Sequence, residues 1–165
     1  MIDFKNAIVI LIIIALIPSC TTSGISATQK KDFIDFLSTL PHDSEFYPDE
    51  SIKKAAKYID VLFSLTDKDI DYNALYPYIA LSVGLSKHEK YRKYGAQHFS
   101  EISHPDLKLF WGSVLFSVGP VTPEIVDYLK AVLKSEEQTS ALRLMIGPNF
   151  EKFRRQVATF EFKAK

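Results

Sequence analysis

Residues 104–148 read HPDLKLFWGSVLFSVGPVTPEIVDYLKAVLKSEEQTSALRLMIGP, and this stretch decides the fold class. Its apolar residues recur every three or four positions, which is the spacing of one face of an α-helix. His104-Pro105-Asp106 and Thr122-Pro123-Glu124 have the residue types that begin helices, whereas Gly119 and Gly147-Pro148 have those that end them. The stretch therefore predicts three successive helices, over about residues 105–119, 123–133 and 138–146.

The same helical spacing continues towards the amino terminus. Phe33 to Leu40 predict a short helix ended by Pro41, and Pro48 followed by the apolar face from Ile52 to Phe63 predicts one longer helix. Residues 72–85 predict a further helix that Pro77 either starts or kinks, because proline has no amide proton to donate. An apolar stripe over 91–102 predicts the next one. No long strand-like alternation occurs before Gly147, so we expect an all-α fold.

The last residues have a different pattern. Ala158, Phe160, Phe162 and Ala164 alternate with polar residues, which is the period of a strand. One interpretation is a helix over 149–157 followed by a frayed end; the other is an exposed segment that pairs with the sheet edge of a partner. Because a lone strand cannot form a sheet in a helical chain, we favour the first.

Composition limits the function classes. The 165 residues have room for a single domain, and the apolar fraction of 47% with 12 Phe and 8 Tyr supplies material for a core. Cys20 is the only cysteine, so no intramolecular disulfide can form. Twenty Lys and Arg balance twenty Asp and Glu, which argues against a nucleic-acid partner because such binding relies on excess positive charge.

An apolar run lies near the amino terminus. Residues 7–17 read AIVILIIIALI, preceded by Lys5 and followed by Pro18 and Ser19. The run is too short to span a bilayer, which takes about 20 apolar residues in a helix. Its length is typical of the hydrophobic region of a secretory signal peptide.

Leu16-Ile17-Pro18-Ser19-Cys20 resembles the lipobox of bacterial lipoproteins, with an aliphatic residue three positions before the cysteine and a small one just before it. The resemblance implies cleavage between Ser19 and Cys20, a diacylglycerol on the Cys20 thiol and a further acyl chain on the freed amine. This covalent lipid is the only cofactor we expect. An uncleaved anchor, or an ordinary signal cut nearby, is the alternative.

These features predict the domain organisation. Residues 1–19 form the signal peptide, 20–29 a lipidated cysteine with a flexible stalk, 30–157 an all-helical domain and 158–165 a tail. Thr21 stands where an Asp would resemble the inner-membrane retention signal of bacterial lipoproteins. We therefore expect the protein on the periplasmic face of the outer membrane, attached through its lipid.

The helical region also resembles a repeat family. Residues 104–107 with 112–119 (GSVLFSVG) are similar to the first helix of a HEAT-type repeat, and 123–136 to its second helix. Residues 140–147 resemble the next opening helix, and Lys90 to Ala96 the second helix of an earlier hairpin. The resemblance covers residues 72–147 and implies short antiparallel helical hairpins stacked as a solenoid; an irregular helical bundle is the alternative.

No catalytic motif stands out. The four histidines, His42, His88, His98 and His104, include no helical i, i+4 pair, and the chain lacks a glycine-rich phosphate loop and a nucleophile elbow. His98 fits a half-buried, hydrogen-bonded histidine, while His42 and His104 fit turns. Asp67, Asp69 and Asp71 fit a loop in which acids are solvated or cap a helix, rather than bind calcium. We expect neither an enzyme nor a metal site.

Two groups of residues are candidates for binding a partner. Tyrosines are concentrated in one stretch and are common in binding hot spots, and basic residues follow them. The candidates are Tyr72, Tyr76, Tyr78, Tyr91, Tyr94, Lys90, Arg92 and Lys93. The sequence favours a membrane-tethered protein–protein interaction module, either an immunity-type binder or an envelope assembly subunit. The alternative is an envelope hydrolase or glycan-binding protein that uses acids and tyrosines in a cleft.

The anchoring hypothesis predicts the effect of Cys20→Ala. Without the thiol no lipid can be attached, so we expect the protein to move from the membrane fraction to the soluble periplasmic fraction, measured by fractionation and immunoblotting. The matched control, Ser23→Ala, should stay with membranes. A Cys20→Ala protein that remains wholly membrane-bound would contradict lipidation as the anchor.

Overall fold

The computed structural model describes residues 24–41 and 47–162, without the side chains of Tyr72 and Asn73. The α-helices in these ranges are α1 (Ala27–Ser38), α2 (Asp49–Lys57), α3 (Ile59–Ser64), α4 (Tyr72–Ser86), α5 (Glu89–Gln97), α6 (Pro105–Val118), α7 (Pro123–Val132), α8 (Glu136–Ile146) and α9 (Phe150–Ala158), with 3-10 turns at Phe99–Glu101 and Gly147–Asn149. The described residues contain no strand, which confirms the all-α prediction. None of their helices is long and apolar enough to cross a membrane.

Helices α4 to α9 pack as successive hairpins. Helix α6 contacts α4 on one side and α8 on the other, and α9 contacts α7 of the preceding hairpin. The first helices of the hairpins begin at Tyr72, Pro105 and Glu136. These starts are 33 and 31 residues apart, which is shorter than the HEAT-type repeat of about 40–47 residues. At the amino-terminal end, α1 and α2 both pack against α4. The described part of the chain is thus a row of hairpins preceded by three helices, α1, α2 and α3.

The predicted helix starts at Pro105 and Pro123 and the predicted helix ends at Gly119 and Gly147 are confirmed. Pro105 and Pro123 lie in the first turns of α6 and α7, and the Thr122 hydroxyl accepts a hydrogen bond from the Ile125 amide at 3.4 Å. Gly119 and Gly147 end their helices with positive φ angles of 73° and 63°. Positive φ is accessible to glycine at little cost, so both helix ends could be identified from sequence.

The single helix predicted from Pro48 to Phe63 is wrong. Tyr58, with φ −112° and ψ 20°, separates α2 from α3, and Pro48 precedes the first helical residue instead of occupying it. In one continuous helix Val61 would lie opposite Ile52, since nine residues make two and a half turns. The break allows both residues to be buried, so packing overrides the local pattern.

The flexible stalk predicted over residues 20–29 is wrong for its last part. The Ser26 hydroxyl accepts from the Gln29 amide at 3.1 Å, and the Gln29 side chain accepts from the Ser26 amide at 2.9 Å. This pair is a capping box, which begins α1 at Ala27. Ile25 packs against the core. The folded domain therefore begins by residue 25, before the predicted boundary at 30; Ser19 and Cys20 lie outside the described residues.

The carboxy-terminal segment contains the predicted helix, as in the first interpretation of a helix over 149–157 followed by a non-strand end. Helix α9 ends at Ala158, and residues 159–162 form no strand. Phe160 is held in place, because its ring packs edge-on against Phe116 at 5.4 Å and its carbonyl accepts from Lys130 Nζ at 3.2 Å. A frayed end is thus wrong for Phe160. Residues 163–165 lie outside the described residues, and strand pairing with a partner stays a prediction.

The core centres on two large buried side chains. Trp111 of α6 is fully buried and packs edge-on against Phe63 at 5.4 Å. A Cβ at Gly95 would approach its indole ring to 2.8 Å, so glycine permits the close contact of α5 with α6. Tyr78 of α4 is equally buried and donates its hydroxyl to the Leu62 carbonyl at 2.7 Å. Burial raises the pKa of Tyr78, which keeps the hydroxyl a donor.

The Tyr78 contact predicts a loss of stability in Tyr78→Phe. The substitution keeps the ring but removes the donor to a buried carbonyl, so the free energy of unfolding should fall by about 1–3 kcal/mol. Urea denaturation followed by circular dichroism measures it. Tyr91→Phe is the matched control, because Tyr91 is half-buried. We expect a change within about 0.5 kcal/mol there. Equal stability of the two variants would contradict the role of Tyr78.

Candidate functional site

The predicted tyrosine surface does not exist as one surface. Tyr78 was predicted to bind a partner, but it is fully buried and serves the core. Tyr76 is 43% exposed on α4. Tyr91 packs edge-on against His88 at 5.9 Å, while the Tyr94 ring stacks on His98. The side chain of Tyr72 lies outside the described residues.

The predicted basic group is also divided between roles. Arg92 Nη1 donates to the carbonyls of Ser86 at 2.9 Å and Lys87 at 3.1 Å, so it holds the turn between α4 and α5. Its assignment as a binding residue stays a prediction. Lys90 lies 4.5 Å from the centre of the Tyr91 ring, and Lys93 pairs with Glu89 at 2.8 Å. Lys90 and Lys93 are exposed on α5 and stay candidates.

Polar side chains meet in a cleft beside the start of α1, which we call the amino-terminal cleft. Its volume is about 530 Å³, and its lining residues include Gly24, Ile25, Gln29, Lys57, Tyr58, Asp60, Tyr94, His98 and Glu101. The Tyr94 hydroxyl donates to the Asp60 carboxylate, and burial together with this bond raises the pKa of Tyr94. His98 stacks on Tyr94 at 4.1 Å and its Nδ1 lies 2.9 Å from Glu101 Oε1. The prediction of a half-buried, hydrogen-bonded His98 is confirmed.

His104 occupies the predicted turn before α6. It is 5% exposed, packs edge-on against Tyr78 at 5.3 Å, and has no hydrogen-bond partner for Nδ1 among the described residues. Burial lowers the pKa of His104, because the charged imidazolium loses its hydration. The ring is therefore a neutral part of the core. His88 precedes α5, and His42 lies outside the described residues.

The acids between α3 and α4 organise their own loop. Asp69 accepts from both the amide and the hydroxyl of Thr66 at 2.8 Å, and Lys30 lies 3.4 Å away. Asp71 accepts from the Ala74 amide at 2.8 Å and so caps α4. These bonds support the capping interpretation. In the ranges that the structure describes, no three His, Cys, Asp or Glu side chains are placed to share a metal ion.

A larger cleft lies at the other end of the row, and we call it the carboxy-terminal cleft. It has a volume of about 820 Å³ between the ends of α6 and α8 and helix α9. Its walls include the apolar residues Phe116, Ile146, Phe153 and Phe160 and the polar residues Ser117, Asn149, Lys152, Gln156, Thr159 and Glu161. Phe116 holds the aromatic wall together, with edge-on contacts to Phe153 at 5.3 Å and to Phe160 at 5.4 Å.

Exposed apolar side chains are found on the helices and tail that form this cleft. Leu144 is 86% exposed, Val118 62%, Phe162 50% and Met145 38%. Sequence reasoning missed Val118, Leu144 and Met145 as candidates, whereas Phe162 belongs to the tail considered for pairing with a partner. A signal was present, because Leu144 follows the buried Leu142 by two positions, which places it on nearly the opposite face of α8. The two clefts share no lining residue.

The Asp69 contacts predict a pH-dependent effect of Asp69→Asn. The Thr66 amide above all, with the Thr66 hydroxyl and Lys30, lowers the pKa of Asp69 below its usual 3.8. A lowered folded-state pKa stabilises the protein above the unfolded-state value, and this contribution is lost as the pH falls through the folded-state value. Urea unfolding should show Asp69→Asn less stable by about 1 kcal/mol at pH 7, with the difference shrinking below about pH 4.

Asp67→Asn is the matched control, because Asp67 is an exposed acid of the same loop. We expect its stability to match the unchanged protein at both pH values. A difference between Asp69→Asn and the unchanged protein that stayed constant down to pH 2 would contradict the electrostatic role of the Asp69 carboxylate.

Comparisons with known proteins match this chain to no family model, no curated protein and no solved structure. The stacked hairpins are observed in the structure itself. The likeness to HEAT-type repeats remains a resemblance of short sequence patterns.

Proposed function

We propose that the chain is a lipoprotein of the bacterial envelope that is anchored through Cys20 and acts as a protein–protein interaction module. Its lipid attaches it to the membrane, on the periplasmic face of the outer membrane, and the carboxy-terminal cleft binds a protein partner. The observation that carries the proposal is the carboxy-terminal cleft together with the half-exposed Phe162, whose ring packs edge-on against Phe160 of the cleft wall at 5.1 Å.

The pattern of apolar and polar residues supports a protein partner. Single exposed apolar side chains are ordinary on a protein surface, but an exposed aromatic ring that adjoins the aromatic wall of a cleft is typical of an interaction site. The four apolar wall residues supply hydrophobic surface, and Lys152, Gln156 and Glu161 of the same cleft supply polar groups. Interfaces between proteins combine apolar contacts with hydrogen bonds in this way.

The tether and the cleft also lie in different parts of the row. The described chain begins beside α1, which packs against α3 and α4, whereas the carboxy-terminal cleft is built from α6, α8 and α9. An anchor at the amino terminus would thus leave the cleft free for a partner. An immunity-type binder and an assembly subunit would both use the surface in this way.

The alternative class, an envelope hydrolase or glycan-binding protein, would use the amino-terminal cleft. There Asp60 and Glu101 accompany Tyr58 and Tyr94, so acids and tyrosines do share a cleft. Both carboxylates are exposed, however, whereas a general acid is shielded from water to raise its pKa. We therefore favour the interaction module.

The proposal predicts that the variant Phe162→Ser loses its partner. Tagged protein is crosslinked in cells and the captured proteins are quantified by mass spectrometry. Because the Phe162 side chain is half exposed, the fold should persist. Loss of this aromatic anchor should reduce capture of the partner about tenfold or more.

Tyr76→Ser is the matched control, since Tyr76 is also an exposed ring but lies on α4. It should capture the partner at the normal level. Capture that fails in Tyr76→Ser and persists in Phe162→Ser would place binding on α4 and overturn the choice of cleft. Recovery of glycan in place of protein would favour the alternative class.

A further inference from the structure

The position where α1 begins determines how close a lipid anchor on Cys20 holds the folded domain to the membrane surface. Gly24 and Ile25 line the amino-terminal cleft, and Ile25 is packed against the core beside the Ser26 capping box. Cys20 precedes Gly24 by four residues. An extended chain covers about 3.3–3.6 Å per residue, so this distance is at most about 14 Å. The mouth of the cleft would then lie near the lipid headgroups, whose layer is about 5–8 Å thick on each side of a bilayer.

The walls of the cleft favour a cation with hydrogen-bond donors. Asp60 and Glu101 supply two carboxylates, and Gln29 adds a neutral amide. The bonds from Tyr94 to Asp60 and between His98 and Glu101 hold the carboxylates in place. Each carboxylate has further lone pairs that remain able to accept hydrogen bonds. Lys57 is the one Lys or Arg among the lining residues, so the cleft can bind a phosphate next to an ammonium group.

The aromatic rings of the cleft bear on whether it suits the quaternary ammonium of a choline headgroup or the primary ammonium of an ethanolamine headgroup. A quaternary ammonium is bound by open aromatic faces. The Tyr94 ring is stacked on His98 at 4.1 Å with Phe63 also against it, and the Tyr58 ring is stacked on Phe33 at 5.6 Å. These faces are largely occupied, whereas the carboxylates suit a primary ammonium that donates N–H bonds.

We infer that the amino-terminal cleft lies on the membrane surface and binds the ammonium of a phosphatidylethanolamine headgroup, with Asp60 and Glu101 as acceptors and Lys57 beside the phosphate. This inference rests on the proposed function, because the lipid on Cys20 brings the cleft to the bilayer. It adds a second, non-covalent contact that orients the body and turns the carboxy-terminal cleft towards a partner.

Hydrogen exchange of the full lipidated protein in vesicles tests the inference. One set of vesicles contains phosphatidylethanolamine and phosphatidylglycerol, and the other replaces the ethanolamine lipid with phosphatidylcholine. Amides within residues 58–62 and 98–102 should exchange about fivefold more slowly with the ethanolamine lipid, because bound headgroups restrain both walls of the cleft. The variant Asp60→Asn/Glu101→Gln should lose this difference. It can retain the bonds with Tyr94 and His98, since both amides carry an acceptor oxygen.

The control variant Glu136→Gln/Glu137→Gln removes two exposed acids from α8 and should keep the lipid-dependent difference. Equal exchange in both vesicles, with the protein still bound to them, would overturn the headgroup site and leave the anchor intact. Protein that does not float with either vesicle would instead contradict the lipid anchor, and with it the inference. Slow exchange in both vesicles that only the Asp60→Asn/Glu101→Gln variant abolishes would overturn the preference for ethanolamine.

Discussion

The hydrogen bond from the buried Tyr78 hydroxyl to the Leu62 carbonyl joins the two halves of this fold. Tyr78 lies on α4, which contacts α1, α2, α5 and α6, so this helix is shared by the amino-terminal helices and the stacked hairpins. Leu62 lies in the last turn of α3, where helix carbonyls lack partners within the helix. The phenol supplies the missing donor, and its ring supports His104 at the start of α6. One side chain thus fixes how three helices meet.

Both clefts follow from this arrangement. The row of hairpins extends in one direction from α4, and among the described residues no further helix packs on the outer side of the last hairpin. The carboxy-terminal cleft forms there, where Phe160 folds back on Phe116 without filling the space between α6, α8 and α9. At the other end, the break at Tyr58 turns α3 so that Asp60 faces Tyr94. The same break that buries Val61 therefore also creates the polar cleft.

Much of the fold was predictable because its helix ends use residues with strong local preferences. Proline at the starts of α6 and α7 and glycine at the ends of α6 and α8 act through their own backbones, so no tertiary information is needed. The break at Tyr58 depends on where Val61 can be buried, which a helical pattern does not reveal. Ser26 and Gln29 did carry a local signal, and their capping box explains why the stalk is shorter than expected.

The candidate site was less predictable than the fold. Tyrosine content indicated a binding surface, but composition does not distinguish the buried Tyr78 from the exposed Tyr76. Arg92 is similar, since its neighbours in sequence suggested a basic patch while its contacts are two backbone carbonyls. Phe116, Phe153 and Phe160 come from separate segments, so their meeting in one cleft depends on the stacking of the hairpins.

The most direct test that the protein binds a partner at the carboxy-terminal cleft is to map which of its lysines crosslink to the captured partner. Lys152 lines the carboxy-terminal cleft, whereas Lys90 and Lys93 lie on α5. We expect the crosslinks to the partner to come from Lys152. Crosslinks from Lys90 and Lys93 with none from Lys152 would contradict the account.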